Sequence, residues 1–490
     1  MFSGKRVRPL ASYNLRKPAR GNEMKKLTII GSGPGGHMAA FAAARAGHSV
    51  TLVESAAVGG TCLHTGCIPT KTFKSSADAL EKIRHMGNYA ITGNADAAIS
   101  MPELLARKKN VIGLLTTGLE KTCASLKITL VRGRGRVISA REVAVSTQEG
   151  TVLVEGDNVI IATGSRPLNL PSLPADHRHI LNSDDALALD RVPASIAIVG
   201  GGVIGCEMAC IFRSFGAQVT VIEGQDRLLP IPSVDGEMSK LLLREMKKAG
   251  IRVELGKTVS SATVEQGMAK LAVSPSRPKD DAPVEPAMLD VESVFVTVGR
   301  VPNTEGLGLD EAGITVSPRG WIQVDDCLQT SVPGVFAIGD VLGPEKIMLA
   351  HMASAEAEHV VAHLDAPTPC DYSVVPSAIF TTPEIGCVGL SEEQALAAGL
   401  PVRCTLLQVR ELGKAHAMGE IAGVFKLVAH AENNTILGAH LCGPHATDLI
   451  AEAGLAIRMG ASVADVAHTI HAHPTLAEGF YELCHKAARP

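Results

Sequence analysis

Leu27-Thr28-Ile29-Ile30 runs directly into Gly31-Ser32-Gly33-Pro34-Gly35-Gly36, an alanine-rich stretch follows to about Ala46, and Ser49-Val50-Thr51-Leu52-Val53 ends at Glu54. A short apolar run closed by glycine reads as a buried strand, and the alanine-rich stretch reads as a helix. Together they form a βαβ unit with the G-x-G-x-x-G turn at its strand–helix junction. Gly31, Gly33 and Gly36 permit a tight turn and let the backbone approach a pyrophosphate at the helix N-terminus. Glu54, at the end of the second strand, is placed for a ribose hydroxyl. A glycine-rich turn alone is common. With both strands, the helix and the acid in register, the stretch reads as a dinucleotide cradle.

The same unit recurs. Ile196-Ala197-Ile198-Val199 leads into Gly200-Gly201-Gly202-Val203-Ile204-Gly205, a helix to about Phe215, and Gln218-Val219-Thr220-Val221-Ile222 ending at Glu223. Gly200, Gly202 and Gly205 repeat the first cradle, so the chain is expected to bind two dinucleotides. A carboxylate at Glu223 accepts the 2′-hydroxyl of NAD and repels the 2′-phosphate of NADP, which favours NAD. Read as a solvated strand-end acid, Glu223 would leave that choice open. Three further apolar strands break into glycine: Val159 to Ser165, Val294 to Arg300 and Gly334 to Asp340. No short-period repeat accompanies the duplicated cradle.

Between the cradles lies Gly59-Gly60-Thr61-Cys62-Leu63-His64-Thr65-Gly66-Cys67-Ile68-Pro69-Thr70-Lys71. The spacing of Cys62 and Cys67 does not match paired metal-binding cysteines. Five residues of regular helix rise ~7.5 Å, more than the roughly 7 Å that a disulfide spans between Cα atoms. Gly66 and Pro69 supply an irregular first turn that brings the sulfurs together. Lys71 adds a cation that favours the thiolate, the reactive form of sulfur. Two unrelated buried cysteines are the bland alternative; the lysine favours a redox-active pair.

The 490 residues, 46% apolar and 20% charged, leave room for three or four domains, and the net charge of -4 gives no reason to expect nucleic acid or an anionic surface as partner. No apolar run approaches the ~18 residues of a membrane span. Eleven scattered cysteines suit a reducing compartment, taken as the cytoplasm. Residues 1–23 carry Lys5, Arg6, Arg8, Arg16, Lys17 and Arg20 with no acid before Glu23, and lack the apolar core of a secretory signal. They read as a disordered basic extension, or as an over-extended start ahead of Met24. Ser274–Pro286 reads as an exposed loop between strands, and Ala366-Pro367-Thr368-Pro369 as the joint to a last domain. There, Asp448 to Met459 has the apolar stripe of a helix. His468, His471 and His473 stand close together near the end, but no acid or cysteine is spaced with them as a metal set would need, so no metal is expected. A histidine held by a carboxylate, with Glu478 the candidate, is instead fixed in one tautomer and made a stronger base.

In order, GSGPGG, GGTCLHTGCIPTK, ATGS, GGGVIG, TVGRVPNT, PGVFAIGD and HAHPTLAE resemble the motifs of the pyridine nucleotide–disulfide oxidoreductases, over nearly everything after residue 24. The resemblance implies an α/β fold with two Rossmann-like dinucleotide-binding domains and a C-terminal α+β dimerisation domain. It divides the chain into 24–165 for FAD, 166–290 for NAD, 291–365 returning to the FAD domain, and 370–490 for dimerisation. It puts FAD in the first cradle and NAD in the second, with Lys71, Thr163, Gly164, Gly299 and Asp340 among the cofactor-binding residues. It makes His473 the acid/base acting on the disulfide of the other subunit, oriented by Glu478, so the protein is expected to be a homodimer. It also pairs Glu207 with Lys71.

Within the family the resemblance is to the members that oxidise dihydrolipoamide. CIPTK is similar to their CIPSK, not to the CVPKK of glutathione reductases, and HAHPTLAE is their C-terminal motif. Mercuric reductases lack the base histidine, which this chain has. The implied activity passes electrons from protein-bound dihydrolipoamide through Cys62, Cys67 and FAD to NAD+. The implied partners are lipoyl-bearing proteins of a 2-oxoacid dehydrogenase or glycine cleavage complex. A glutathione- or mercuric-reductase-like activity is the alternative, and a non-catalytic NADH sensor a more distant one. His64-Thr65 replaces the family's Asn-Val, Ala357 stands where a glycine is usual, and only twelve residues follow Glu478. His64 is therefore expected to influence the redox pair.

Overall fold

The computed structural model describes residues 23–277 and 285–489. Residues 1–22 of the basic extension and 278–284 of the proline-containing loop lie outside them. The described residues form two compact units, one from residues 23–72, 106–168 and 299–371, the other from 73–105, 169–277, 285–298 and 372–489.

The first unit is built on β1 (Lys26–Ile30), α1 (Pro34–Arg45) and β2 (Ser49–Glu54). Its central sheet is parallel throughout and runs Val335–Ala337, Asn158–Ile161, β1, β2, Thr129–Arg132. Ile29, Leu52 and Ile160 are completely buried, as expected of strands covered on both faces, which is why they read as continuous apolar runs. After β2 the chain makes α2 (Gly60–His64) and then α3 (Cys67–Arg84).

The second unit repeats the plan with β3 (Ser195–Val199), α4 (Val203–Phe215) and β4 (Gln218–Glu223). Its parallel sheet runs Arg252–Leu255, β4, β3, Ser293–Val296, Ile180–Leu181. The proline-containing loop connects two neighbouring antiparallel strands, Met268–Pro275 and Ala287–Val291. From residue 372 the topology changes to a five-stranded antiparallel sheet, ordered Ser377–Ile379, Glu384–Gly389, Ile436–Gly443, Val424–His430, Val402–Gln408. The helices α5 (Ala446–Arg458) and α6 (Glu478–Ala488) pack on it. The architecture is the expected one, two Rossmann-like halves and a C-terminal α+β part. Among the described residues, no helix is long and apolar enough to cross a membrane.

One ion cluster, with Lys426 and Asp235 buried and Glu392 partly exposed, ties this C-terminal sheet to the second cradle's half of the unit. Lys426 Nζ donates to both oxygens of Asp235 at 3.0 and 2.9 Å and to Glu392 Oε2 at 2.6 Å. Asp235 also accepts the Glu237 N–H as the N-cap of the helix Gly236–Lys248. Burial pushes the Asp235 carboxyl up, but Lys426 and the cap N–H outweigh it and leave it below the ordinary carboxylate range. Removing one partner strands a buried charge, so Lys426→Ala is expected to cost about 3–5 kcal/mol, read as a lowered thermal midpoint. Because the Asp235 pKa is depressed, this stabilisation is complete above about pH 4 and is lost as pH falls through the folded-state value.

Candidate active site

Each cradle is shaped by the same three glycine positions. Gly31 sits at φ +96°, and a Cβ there would lie 2.4 Å from the Ala162 carbonyl oxygen. A Cβ on Gly36 would lie 1.8 Å from the Gly31 oxygen, so this close return of helix on strand admits only glycine. The middle residue differs: a Cβ on Gly33 would meet nothing closer than 4.0 Å. In the second unit a Cβ on Gly200 would lie 2.8 Å from Thr297 Oγ1 and one on Gly205 2.0 Å from the Gly200 oxygen, whereas Gly202 faces open space. Packing forces the outer glycines, while the middle one leaves room for a pyrophosphate to reach the helix N-terminus.

The strand-end acids also match. Glu54 Oε2 accepts from Ser32 N–H at 2.8 Å and from Ser32 Oγ at 2.6 Å, and Oε1 accepts from Ala56 N–H at 2.8 Å. Glu223 Oε2 accepts from Gly201 N–H at 2.5 Å and Oε1 from Gln225 N–H at 2.7 Å. Each carboxylate braces its own glycine turn from beneath, and its remaining lone pairs are what a ribose would find. Near the first cradle, Thr163 Oγ1 is buried with no hydrogen-bond partner, beside Gly164, whose missing Cβ would meet nothing within 4 Å. An orphaned hydroxyl next to open space fits the polar edge of a bound cofactor. Asp340 Oδ2 accepts from Ser165 Oγ at 2.8 Å, and Arg300 Nε donates to the same Ser165 Oγ at 2.6 Å. Gly299 gives its carbonyl to Leu168 N–H at 3.1 Å, beside this network.

The cysteine loop rests on the first cradle. Gly60, at φ +61°, would bring a Cβ to 2.6 Å from the Gly33 Cα, and Gly59 N–H donates to the Ser32 carbonyl at 3.2 Å. The helix then breaks at Thr65 and Gly66 and restarts at Cys67, the irregular turn anticipated from the spacing. A Cβ on Gly66 would lie 2.9 Å from the Thr61 oxygen and 3.3 Å from the Cys62 Cα, so glycine is what allows the two cysteines to close up. Cys62 is half-buried and Cys67 exposed at the start of α3, where the helix dipole favours negative charge. The hydrogen bond to Cys67 and then burial push the Cys62 thiol well up, with Lys71 opposing. His64 Nε2 donates to the Val58 carbonyl at 2.9 Å, so this residue fastens the loop.

The other cysteines differ. Cys123, Cys206, Cys210, Cys387, Cys442 and Cys484 are buried. Burial pushes Cys210 up to about 11 and Cys387 and Cys484 to about 12.

In the second unit His473 Nδ1 lies 2.7 Å from Glu478 Oε1, whose other oxygen accepts the Thr475 N–H at 2.7 Å. The Thr475 N–H and His473 hold the Glu478 carboxyl below its ordinary range. Nδ1–H is thus committed to the carboxylate, and Nε2 is left as the basic nitrogen on a side chain that is 77% exposed. Glu207 is no helical surface acid: it is 3% exposed and accepts the Phe380 N–H at 2.9 Å. It belongs to the second unit and Lys71 to the first. Sequence reasoning overlooked Ser165, Arg300 and Asn303, whose Nδ2 donates to the Thr163 carbonyl at 3.0 Å. All three lie inside the ATGS and TVGRVPNT stretches, beside the Thr163, Gly164 and Gly299 expected to bind cofactor.

This arrangement, two dinucleotide cradles with a thiol pair resting on one of them, defines a pyridine-nucleotide-dependent disulfide oxidoreductase. Residues 25–357 match the pyridine nucleotide-disulphide oxidoreductase family and residues 375–484 its dimerisation domain. The chain belongs to that family. The dihydrolipoyl dehydrogenase of Chlamydia muridarum is 40% identical, across 94% of this chain and 96% of that protein. That of Geobacillus stearothermophilus is 37% identical, across 92% and 93%. The crystal structure of LpdA from Mycobacterium tuberculosis superposes with a TM-score of 0.87 at 26% identity, covering 95% of this chain and all of that one. The cofactors are FAD and NAD, and the cradles fit them.

Because Gly202 alone of its trio faces open space, Gly202→Ala is expected to fold and keep its flavin yet raise the KM for NAD+ at least about tenfold. Flavin absorbance per chain and steady-state kinetics read the two effects separately. Gly66→Ala is expected to cost stability and to slow dithiol-dependent turnover, measured by thermal melting and by titration of the reduced pair with a disulfide reagent.

Proposed function

We propose that the chain oxidises protein-bound dihydrolipoamide at Cys62 and Cys67, with His473 of one subunit serving as base for the thiol pair of the other. The observation that carries this reading is the hydrogen-bonded thiol pair at the start of α3, beside Lys71 and resting on the first cradle. The relatives named dihydrolipoyl dehydrogenase support the substrate class.

His473 Nε2 takes a proton from one substrate thiol, and Glu478 steadies the imidazolium that forms. The substrate thiolate attacks Cys62 Sγ of the oxidised pair. The Cys62–Cys67 bond breaks and its electron pair leaves on Cys67. The second substrate thiol attacks the substrate sulfur of the mixed disulfide and closes the lipoamide ring. The bond to Cys62 breaks with its electron pair on Cys62 Sγ, the His473 imidazolium gives Cys62 its proton, and the second thiol's proton passes to the freed His473 Nε2. Cys62 is suited to end protonated by its raised pKa, and Cys67 to hold charge by its place at a helix N-terminus and by Lys71 nearby. When bound, FAD and NAD+ supply the path by which that electron pair leaves as hydride on the nicotinamide.

Gly31, Gly33, Gly36, Glu54, Thr163, Gly164 and Asp340 are the proposed FAD contacts; Gly200, Gly202, Gly205 and Glu223 are those for NAD. Gly299, bonded to Leu168 at the edge of the Arg300–Ser165 network, and Lys71 complete the cofactor set. The Glu223 carboxylate, braced beneath the second turn, disfavours a 2′-phosphate. Glu207 is proposed to pair with Lys71. The chain carries the family's dimerisation domain. We infer that its partners are the lipoyl-bearing proteins of a 2-oxoacid dehydrogenase or glycine cleavage complex, met in the cytoplasm.

The test is NADH formation from NAD+ and dihydrolipoamide, run beside NADPH oxidation by glutathione disulfide and by Hg²⁺. Rapid turnover is expected only in the first. Cys62→Ser is expected to abolish it, and His473→Ala to lower it by roughly 10²–10⁴-fold. Turnover with glutathione disulfide and none with dihydrolipoamide would sink the substrate assignment.

A further inference from the structure

Next to the His473–Glu478 pair stands a second histidine–carboxylate pair that the reaction as described does not use. His471 Nε2 lies 2.8 Å from Glu452 Oε1, on α5, and His471 Nδ1 lies 2.9 Å from the Thr469 carbonyl. A carbonyl oxygen and a carboxylate only accept, so both ring nitrogens must carry hydrogen, and the ring is an imidazolium. The His471 side chain is 8% exposed, against 77% for His473. Its other neighbours come from α6. The Tyr481 ring stacks at 5.3 Å, tilted by 38°, with His485 edge-on to Tyr481, and Glu478 lies close enough to act on the His471 charge. Burial opposes that charge, but Thr469, Glu452 and Glu478 prevail and raise His471 above the ordinary histidine range. The influence is mutual, since His471 is among the groups that hold Glu478 ionised.

We propose that Glu452 and His471 are positioning residues for the base: they fix a second imidazolium against Glu478, so that this carboxylate orients His473 while part of its negative field is already neutralised. A base whose orienting carboxylate carries its full field holds protons too well and needs a higher pH to accept one from a thiol. With the fixed cation in place, the pair works nearer neutrality. Ring stacking on Tyr481 and the two hydrogen bonds immobilise the cation, which an exposed histidine would not achieve.

This inference rests on the reading of His473 as the base. It is tested on the FAD-loaded dimer by the pH dependence of kcat/KM for dihydrolipoamide in the native chain and in Glu452→Gln, Glu452→Asp, His471→Asn and His473→Gln. Glu452→Gln and His471→Asn each remove the fixed charge, and each is expected to move the acid limb upward by about half a unit to one unit. Glu452→Asp keeps the charge and is expected to restore the native limb. In ¹³C-ring-labelled protein, the His471 Cε1 signal is expected at the imidazolium position at neutral pH and at the neutral position in Glu452→Gln. An unmoved limb with rates lowered equally at all pH values, or a neutral His471 in the native chain, overturns the proposal and leaves the base assignment standing. A native limb that survives in His473→Gln overturns the base assignment itself.

Discussion

Two glycines meeting backbone to backbone decide where the chemistry of this chain takes place. Gly60 would drive a Cβ to 2.6 Å from the Gly33 Cα, so the cysteine loop sits on the first cradle's turn only because Gly60 has no side chain in the way. Gly33 is also the cradle position that must stay open to a pyrophosphate. The thiol loop is thus seated on the first cradle's turn, and a larger residue at Gly60 would push the two apart. The break at Gly66 applies the same device one step further along, letting Cys62 reach the start of α3.

The two halves of the chain use this economy of side chains in parallel. Each strand-end glutamate accepts from the N–H that follows the first glycine of its turn, Ser32 in one case and Gly201 in the other. A buried carboxylate is tolerated where N–H groups and later a ribose satisfy it. The same logic holds the Asp235–Lys426–Glu392 cluster, where the charges answer one another and no ligand is needed.

Much of this was legible in the sequence, because it lies in local patterns. The paired strands of β1, β2, β3 and β4 are continuous apolar runs, and the glycines fall at fixed spacing after them. The break between α2 and α3 follows from one glycine and one proline in a short cysteine spacing. What could not be read came from residues far apart in the chain. Asp340, Ser165 and Arg300 converge from three separate strand ends, and Glu452 reaches His471 across 19 positions from α5. That His64 fastens the cysteine loop, with its Nε2 turned to the Val58 carbonyl, was also out of reach. Neither its identity nor its position revealed which way the ring points.

A protein that spends its working life exchanging disulfides must also avoid exchanging the wrong ones. Six of its eleven cysteines lie buried, several with thiols held protonated far above neutral pH. Protonated and shielded sulfur is a poor nucleophile. Burial therefore acts as chemoselectivity: these thiols are withheld from the disulfides the reaction forms, which would otherwise meet many possible attackers. Their burial lets an oxidoreductase be rich in cysteine while only Cys62, Cys67, Cys327, Cys370 and Cys404 have sulfur on partly open side chains.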